Sequence, residues 1–67
     1  PELLTTRGNL AACLQQKGEL NEAIAIYHDV EKLELEILGE GHPHLLTTRN
    51  NLASCLQQKG KYYYVLG

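Results

Sequence analysis

One stretch of this chain occurs twice. Residues 3–18 read LLTTRGNLAACLQQKG and residues 45–60 read LLTTRNNLASCLQQKG. The offset is 42 residues, and three aligned pairs differ over 1–18 and 43–60, namely Glu2/His44, Gly8/Asn50 and Ala12/Ser54. A fixed period of about 20–50 residues is the signature of repeat architectures. We therefore predict one complete unit over residues 1–42 and part of a second over 43–67.

Each copy has the pattern of an amphipathic helix with marked ends. Leucines recur at helical spacing. A proline opens each copy and suits the first turn of a helix. A lysine followed by a glycine, Gly18 or Gly60, is a helix stop signal. The sequence predicts a helix A over 2–17 and its copy, helix A′, over 43–59.

The segment between the copies predicts a third helix. Its apolar residues step by four, three, three and four, at Ala23, Tyr27, Val30, Leu33 and Ile37. This spacing gives a helix B over 20–38 with one buried stripe. The break that follows has two glycines and a proline in residues 39–43. Short links favour antiparallel neighbours, so we predict an all-α fold in which a truncated helix B′ follows helix A′.

Composition disfavours several classes of partner. The formal charge is −2 and the pI about 5.9, with six scattered Lys and Arg residues. Nucleic-acid binders usually carry a basic patch, so no nucleic acid is expected. No apolar run approaches the roughly 20 residues of a membrane span, so no membrane partner is expected either.

The two cysteines indicate a reducing compartment. Small secreted scaffolds usually carry four or more cysteines, whereas this chain has only Cys13 and Cys55. We predict that both are buried thiols that pack as small hydrophobic residues, and that the protein is cytoplasmic.

No catalytic or metal-binding constellation stands out. His42, His44 and His28 lack the ligand number and spacing of a zinc site, and His42 is instead predicted to cap helix A′. Ser54 is the lone serine and has no arranged base. The glycines mark helix ends rather than a phosphate-binding loop. We therefore predict a protein that is not an enzyme and that uses no cofactor or metal.

The residue pattern resembles the tetratricopeptide repeat. That signature runs W-x2-L-G-x2-Y and then A-x3-F. Here Leu10-Ala11 precedes Leu14, and Ala23 precedes Tyr27, at the same spacings. The 42-residue period and residues 37–62, ILGEGHPHLLTTRNNLASCLQQKGKY, are similar to the kinesin light chain subtype. The resemblance implies helix-turn-helix repeats in an α–α superhelix that acts as a protein–protein interaction scaffold.

The resemblance also implies a binding face, because A helices line the concave surface of such stacks. The concave set includes Gly8 and Ala12. The polar members, which we predict to bind a peptide or a partner helix, are Thr5, Asn9, Gln15, Gln16, Thr47, Asn50, Asn51, Ser54, Gln57 and Gln58. Amides can both donate to and accept from a peptide main chain. Asn9 and Asn51 match an asparagine that such grooves often use in this way. The alternative is that these are solvated side chains without a ligand.

Arg7 and Arg49 stand where the signature has tryptophan. A guanidinium can hold a ligand carboxylate through paired hydrogen bonds. It can also lie along the neighbouring helix and pair with a glutamate, a structural role that we favour. The available glutamates on helix B are Glu22, Glu31, Glu34 and Glu36.

The C-terminal residues carry an alternative function. Without a complete helix B′, helix A′ exposes the stripe that this helix would cover, and exposed apolar patches drive association. The alternative is therefore self-assembly, in which another copy of the chain is the main partner and a homo-oligomer forms. The residues predicted to take part are Tyr62, Tyr63, Tyr64, Val65 and Leu66. Residues of a longer repeat array are the other candidate cover.

Overall fold

The computed structural model contains three α-helices joined by two short turns. These are α1, Glu2–Gln16, α2, Leu20–Leu38, and α3, Pro43–Leu66. They correspond to the predicted helices A, B and A′. The structure describes the backbone of residues 2–66 and the side chains of residues 3–61. Within residues 2–66 no strand occurs, so the predicted all-α fold is confirmed.

The turn between α1 and α2 depends on Gly18. Its φ is +85°, in the left-handed region that glycine adopts without steric cost. The chain then reverses, and the Glu19 N–H donates to the Leu14 carbonyl over 2.9 Å. This is the hydrogen bond that closes a helix C-terminus across a left-handed residue. The helix ends one residue earlier than predicted.

The start of α3 is capped by His42, as predicted. Its imidazole Nδ1 accepts a hydrogen bond from the His44 N–H over 3.1 Å. Its carbonyl accepts from the Leu46 N–H over 3.1 Å, which is the first intrahelical bond. A free backbone donor at the helix N-terminus is therefore satisfied by a side chain.

The predicted end of the third helix is wrong. Helix A′ was expected to stop at residue 59, but α3 continues through Gly60 to Leu66. The positive-φ glycines of the described backbone are residues 18, 39 and 41, so Gly60 keeps a helical conformation. Glycine inside a helix costs only about 0.5–1 kcal/mol relative to alanine, and each added residue gains a backbone hydrogen bond. The residues predicted to begin a separate helix B′ extend α3 instead.

The two copies of the repeated sequence bury different faces against the rest of the protein. The buried residues of α3 include Leu45, Leu52 and Cys55, which are 0–7% exposed. Their copies on α1 are exposed and form what we call the outer face of α1, consisting of Leu3, Leu10 and Cys13. Conversely, α1 buries Leu4 and Ala11. The corresponding exposed set, the outer face of α3, consists of Leu46, Ala53 and Leu56.

Two burial predictions are corrected by this arrangement. Cys13 was expected to be buried, but it lies on the outer face of α1, whereas Cys55 faces α2 and is fully buried. On α2, the predicted stripe included Ile37, which is 60% exposed. The buried residues of this helix are Ala23, Tyr27, Val30 and Glu34. These residues recur at steps of four, three and four, which follow one helix face. The buried stripe therefore continues to Glu34 and not to Ile37.

Candidate functional site

Residues of all three helices surround a groove that is open to solvent. Both α1 and α3 pack extensively on α2 but touch each other at few points, which leaves the space between them unfilled. The groove contains two adjoining cavities of about 310 and 300 Å³, which we call the Glu34 cavity and the Gln15 cavity. Ala12, Tyr27 and Asn51 line both of them. The groove therefore runs along α1 and α3, with Tyr27 of α2 contributing to both cavities.

Most of the side chains predicted for the concave face lie along this groove. Seven of the ten line one cavity or both, namely Thr5, Asn9, Gln15, Gln16, Thr47, Asn51 and Gln58. Gly8 and Ala12 line it as well. Ser54 lies beside the groove in contact with Gln15, while Asn50 and Gln57 line neither cavity. On α3, Thr47, Asn51, Ser54 and Gln58 recur at steps of four, three and four residues and so follow one helix face.

One amide connects the two walls of the Gln15 cavity. Gln15 Nε2 donates to Gln58 Oε1 over 2.9 Å and to Ser54 Oγ over 3.2 Å. All three groups are uncharged and reach solvent. Exchanging such hydrogen bonds for others changes the free energy little, about 0.5–1.5 kcal/mol each. This end of the groove can therefore open to a ligand at small cost.

Four groove residues were not predicted from the sequence. They are Tyr27, Glu34, His44 and Thr48. Glu34 is 5% exposed, and its Oε1 accepts a hydrogen bond from Thr48 Oγ1 over 2.5 Å. The sequence held one signal for it, since Glu34 continues the stripe of Tyr27 and Val30 at a spacing of four residues. A carboxyl on an apolar stripe indicates a buried polar site.

Tyr27 is almost fully buried, and its hydroxyl has no partner. The side chain is 1% exposed, and among residues 3–61 its oxygen is the only fully enclosed side-chain polar atom without a hydrogen bond. Burial raises the pKa of Tyr27, and the nearby Cys55 raises it further. The phenol thus stays protonated at neutral pH. An unsatisfied buried hydroxyl costs about 1–3 kcal/mol.

Comparison with known families decides the class of this fold. The sequence profile of the tetratricopeptide repeat matches residues 2–62. The chain belongs to the tetratricopeptide repeat family. Repeats of this family generally mediate protein–protein interactions and are generally non-catalytic. No curated protein and no solved structure gives a significant match to the chain.

At the tryptophan position of the tetratricopeptide signature, Arg49 performs a structural task. Its Nε contacts Glu31 Oε2 at 2.8 Å and its Nη1 contacts Glu40 Oε1 at 2.5 Å. These hydrogen bonds, to Glu40 first and Glu31 second, raise the pKa of Arg49. The guanidinium thereby joins α3 to α2 and to the turn between them, and it lies outside the groove. Arg7, its copy, is exposed and takes part in none of the ion pairs within residues 3–61.

This difference predicts unequal effects of one substitution at the two copies. Arg49→Ala should lower the melting temperature more than Arg7→Ala, because only Arg49 has carboxylate partners within residues 3–61. Salt screens exposed ion pairs, so 1 M sodium chloride should shrink the gap. Thermal unfolding followed by circular dichroism measures both. Equal melting temperatures in low salt would contradict the structural role of Arg49.

The described part of the chain lacks both a cluster of metal ligands and a helix able to span a membrane. Within residues 3–61, no three His, Cys, Asp or Glu side chains converge as metal ligands would. The His42 and His44 rings meet edge to face with centroids 5.1 Å apart. No helix among the described residues is both long and apolar enough to cross a membrane.

Proposed function

We propose that the chain is an interaction module that binds an extended peptide or a partner helix in the groove between α1 and α3. One observation carries the proposal: the two equivalent asparagines of the repeat, Asn9 and Asn51, line the same cavity from α1 and α3. An amide side chain both donates and accepts, as a peptide group does. Two amides on facing walls therefore match a peptide main chain that passes between them.

The dimensions of the groove support a ligand of this kind. Small-molecule pockets measure about 300–1,000 Å³ and are mostly apolar. The two cavities, of about 310 and 300 Å³, are shallow and lined by amides and hydroxyls. Such a surface favours a polar main chain with one or two inserted side chains over a compact apolar ligand.

Two finer statements belong to this proposal. The 42-residue period supports assignment to the kinesin-light-chain-like subtype. The free state of Cys13 and Cys55 supports a reducing, cytoplasmic location, as the sequence predicts.

The test is a substitution of both asparagines with a matched control. Peptides are first selected on the wild-type protein from a randomised dodecapeptide library. Asn9→Ala with Asn51→Ala should weaken binding of the selected peptides about tenfold, since two hydrogen bonds of about 0.5–1.5 kcal/mol are lost. The control, Asn21→Ala with Asn50→Ala, changes two exposed asparagines outside the groove and should bind normally.

The stability of these variants separates binding from folding. Both double variants should unfold at nearly the wild-type temperature, because all four asparagines are exposed. If the Asn9 and Asn51 variant binds peptides as well as the wild type, the proposal is wrong. A loss of stability that matches the loss of affinity would assign these residues a structural role instead.

Self-assembly is the second candidate function, and the two outer faces favour it. Leu3 is 65% and Leu10 52% exposed on α1, while Leu46 is 48% and Leu56 49% exposed on α3. The equivalent positions of the first three are buried in the other copy and that of Leu56, Leu14, is half-buried, so each face is suited to pack against a helix. The side chains of residues 62–66, which were also predicted to take part, lie outside the described residues. In sedimentation experiments, a 7.5 kDa species at every concentration would exclude this function.

A further inference from the structure

We propose that the Glu34 cavity binds a basic side chain, lysine or arginine, of the peptide ligand. This inference rests on the proposed function and names the chemistry that the same groove selects. The peptide would run along α2, with its basic residue at Glu34 and its main chain passing over Tyr27.

The charge of the groove is the first argument. Glu34 is the only Asp or Glu among the lining residues, and no Lys or Arg lines either cavity. It takes part in none of the ion pairs within residues 3–61, and Thr48 is its one side-chain hydrogen-bond partner there. His44 lines the same cavity from its exposed position at the start of α3 and forms no ion pair with Glu34. A buried carboxylate is costly unless a cation compensates it, so a cationic guest gains the most here.

The hydrogen-bonding capacity of the cavity is the second argument. An ammonium or guanidinium group carries only donors, and it requires acceptors around it. The carboxylate of Glu34 and the amide oxygens of Asn9 and Asn51 supply them. An acidic side chain would be repelled by Glu34, and an apolar one would leave the carboxyl group uncompensated.

Tyr27 supplies an independent sign that the groove is built for a ligand. Its hydroxyl is buried and unpartnered, and its side chain lines both cavities. Tyr27 and Glu34 are seven residues apart on one face of α2, about 10 Å along the helix. An extended peptide covers about 3.3–3.6 Å per residue. A main-chain group about three residues from the basic side chain would therefore lie at the level of Tyr27.

The experiment repeats the selection from the randomised dodecapeptide library on three proteins. Wild type should enrich lysine or arginine at one position of the selected peptides. Glu34→Gln keeps the shape of the side chain and an acceptor for Thr48. Peptides selected on this variant should no longer be enriched in lysine or arginine. Glu36→Gln removes one charge from an exposed residue of the same helix outside the groove, and it should retain the enrichment.

A change in the peptide tests the same contact without altering the protein. In an enriched peptide, replacing the lysine with norleucine should weaken binding to wild type about tenfold or more, since a charge-assisted hydrogen bond is lost. The same change should matter little for Glu34→Gln. Together these results would place the basic side chain at Glu34 even if the variant is less stable.

The outcomes separate this inference from the proposed function. Selected peptides that lack a preferred basic residue but depend on Asn9 and Asn51 would overturn the inference and leave the function standing. An unchanged basic preference with Glu34→Gln would overturn it as well. If no peptide is enriched on wild type, both the inference and the proposed function fail.

Discussion

Leu45→Ala is expected to lower the free energy of unfolding by about 2–5 kcal/mol, the usual result for a buried leucine. Leu45 is 0% exposed on α3, a helix that packs on α2. A chain of this size has only about 3–5 kcal/mol from its core. The variant should therefore be largely unfolded at room temperature. Urea unfolding followed by circular dichroism measures the loss.

Leu3→Ala is the matched control, because Leu3 is the equivalent leucine in nearly the same sequence context. Leu3 is 65% exposed on the outer face of α1, so its substitution should change stability by about 0.5 kcal/mol or less. The nearly identical local sequence, which differs beside the leucine only at Glu2 and His44, keeps differences in helix propensity small in this comparison. A gap of several kcal/mol between the two variants then reports burial alone.

The same pair of variants also probes self-assembly. If a second copy covers the outer face of α1, Leu3→Ala will destabilise the protein as well, and its effect will grow with protein concentration. Equal losses for Leu3→Ala and Leu45→Ala at every concentration would contradict the arrangement in which α3 buries Leu45 and α1 leaves Leu3 exposed. The comparison therefore tests the fold and the second candidate function in one series.

The sequence allowed a good deal of this fold to be predicted because its signals are local. The bounds of α2 follow from an apolar period and a glycine-rich break, and the cap at His42 follows from its place before Pro43. The face that each copy buries could not be predicted in this way. Leu3 and Leu45 stand in nearly the same sequence, which differs beside them only at Glu2 and His44, yet packing leaves one exposed and buries the other.

In the candidate site, too, some residues could be predicted from the sequence and others depend on long-range packing. Asn9 and Asn51 were predicted for the groove from the resemblance to the tetratricopeptide repeat, whose A helices line the concave face. Glu34 was considered only as a partner for arginine, and its burial beside Thr48 depends on how α2 and α3 pack. The unpartnered hydroxyl of Tyr27 also depends on packing, since its place on the apolar stripe predicts that the ring is buried but not that the hydroxyl lacks a partner. Long-range packing therefore determines the polar part of the groove.

Gly18→Ala and Gly60→Ala are expected to change stability in opposite directions, although both glycines end the same QQKG sequence. Gly18 has a φ of +85°, where a side chain costs about 1–2 kcal/mol. Gly60 is helical, and no atom outside its own helix turn lies within 4 Å of an added Cβ. Alanine there should stabilise the protein by about 0.5–1 kcal/mol.

Thermal and urea unfolding of the two variants therefore test whether α3 is one continuous helix. A helix that ended before residue 60 would place Gly60 in the same left-handed turn as Gly18, and both variants would then be destabilised. A rise in stability and in helical circular dichroism for Gly60→Ala alone is the expected result. It would show that the sequence QQKG has two outcomes. In the first copy the helix ends, and the Glu19 N–H donates to the Leu14 carbonyl. In the second copy α3 continues through Gly60 to Leu66.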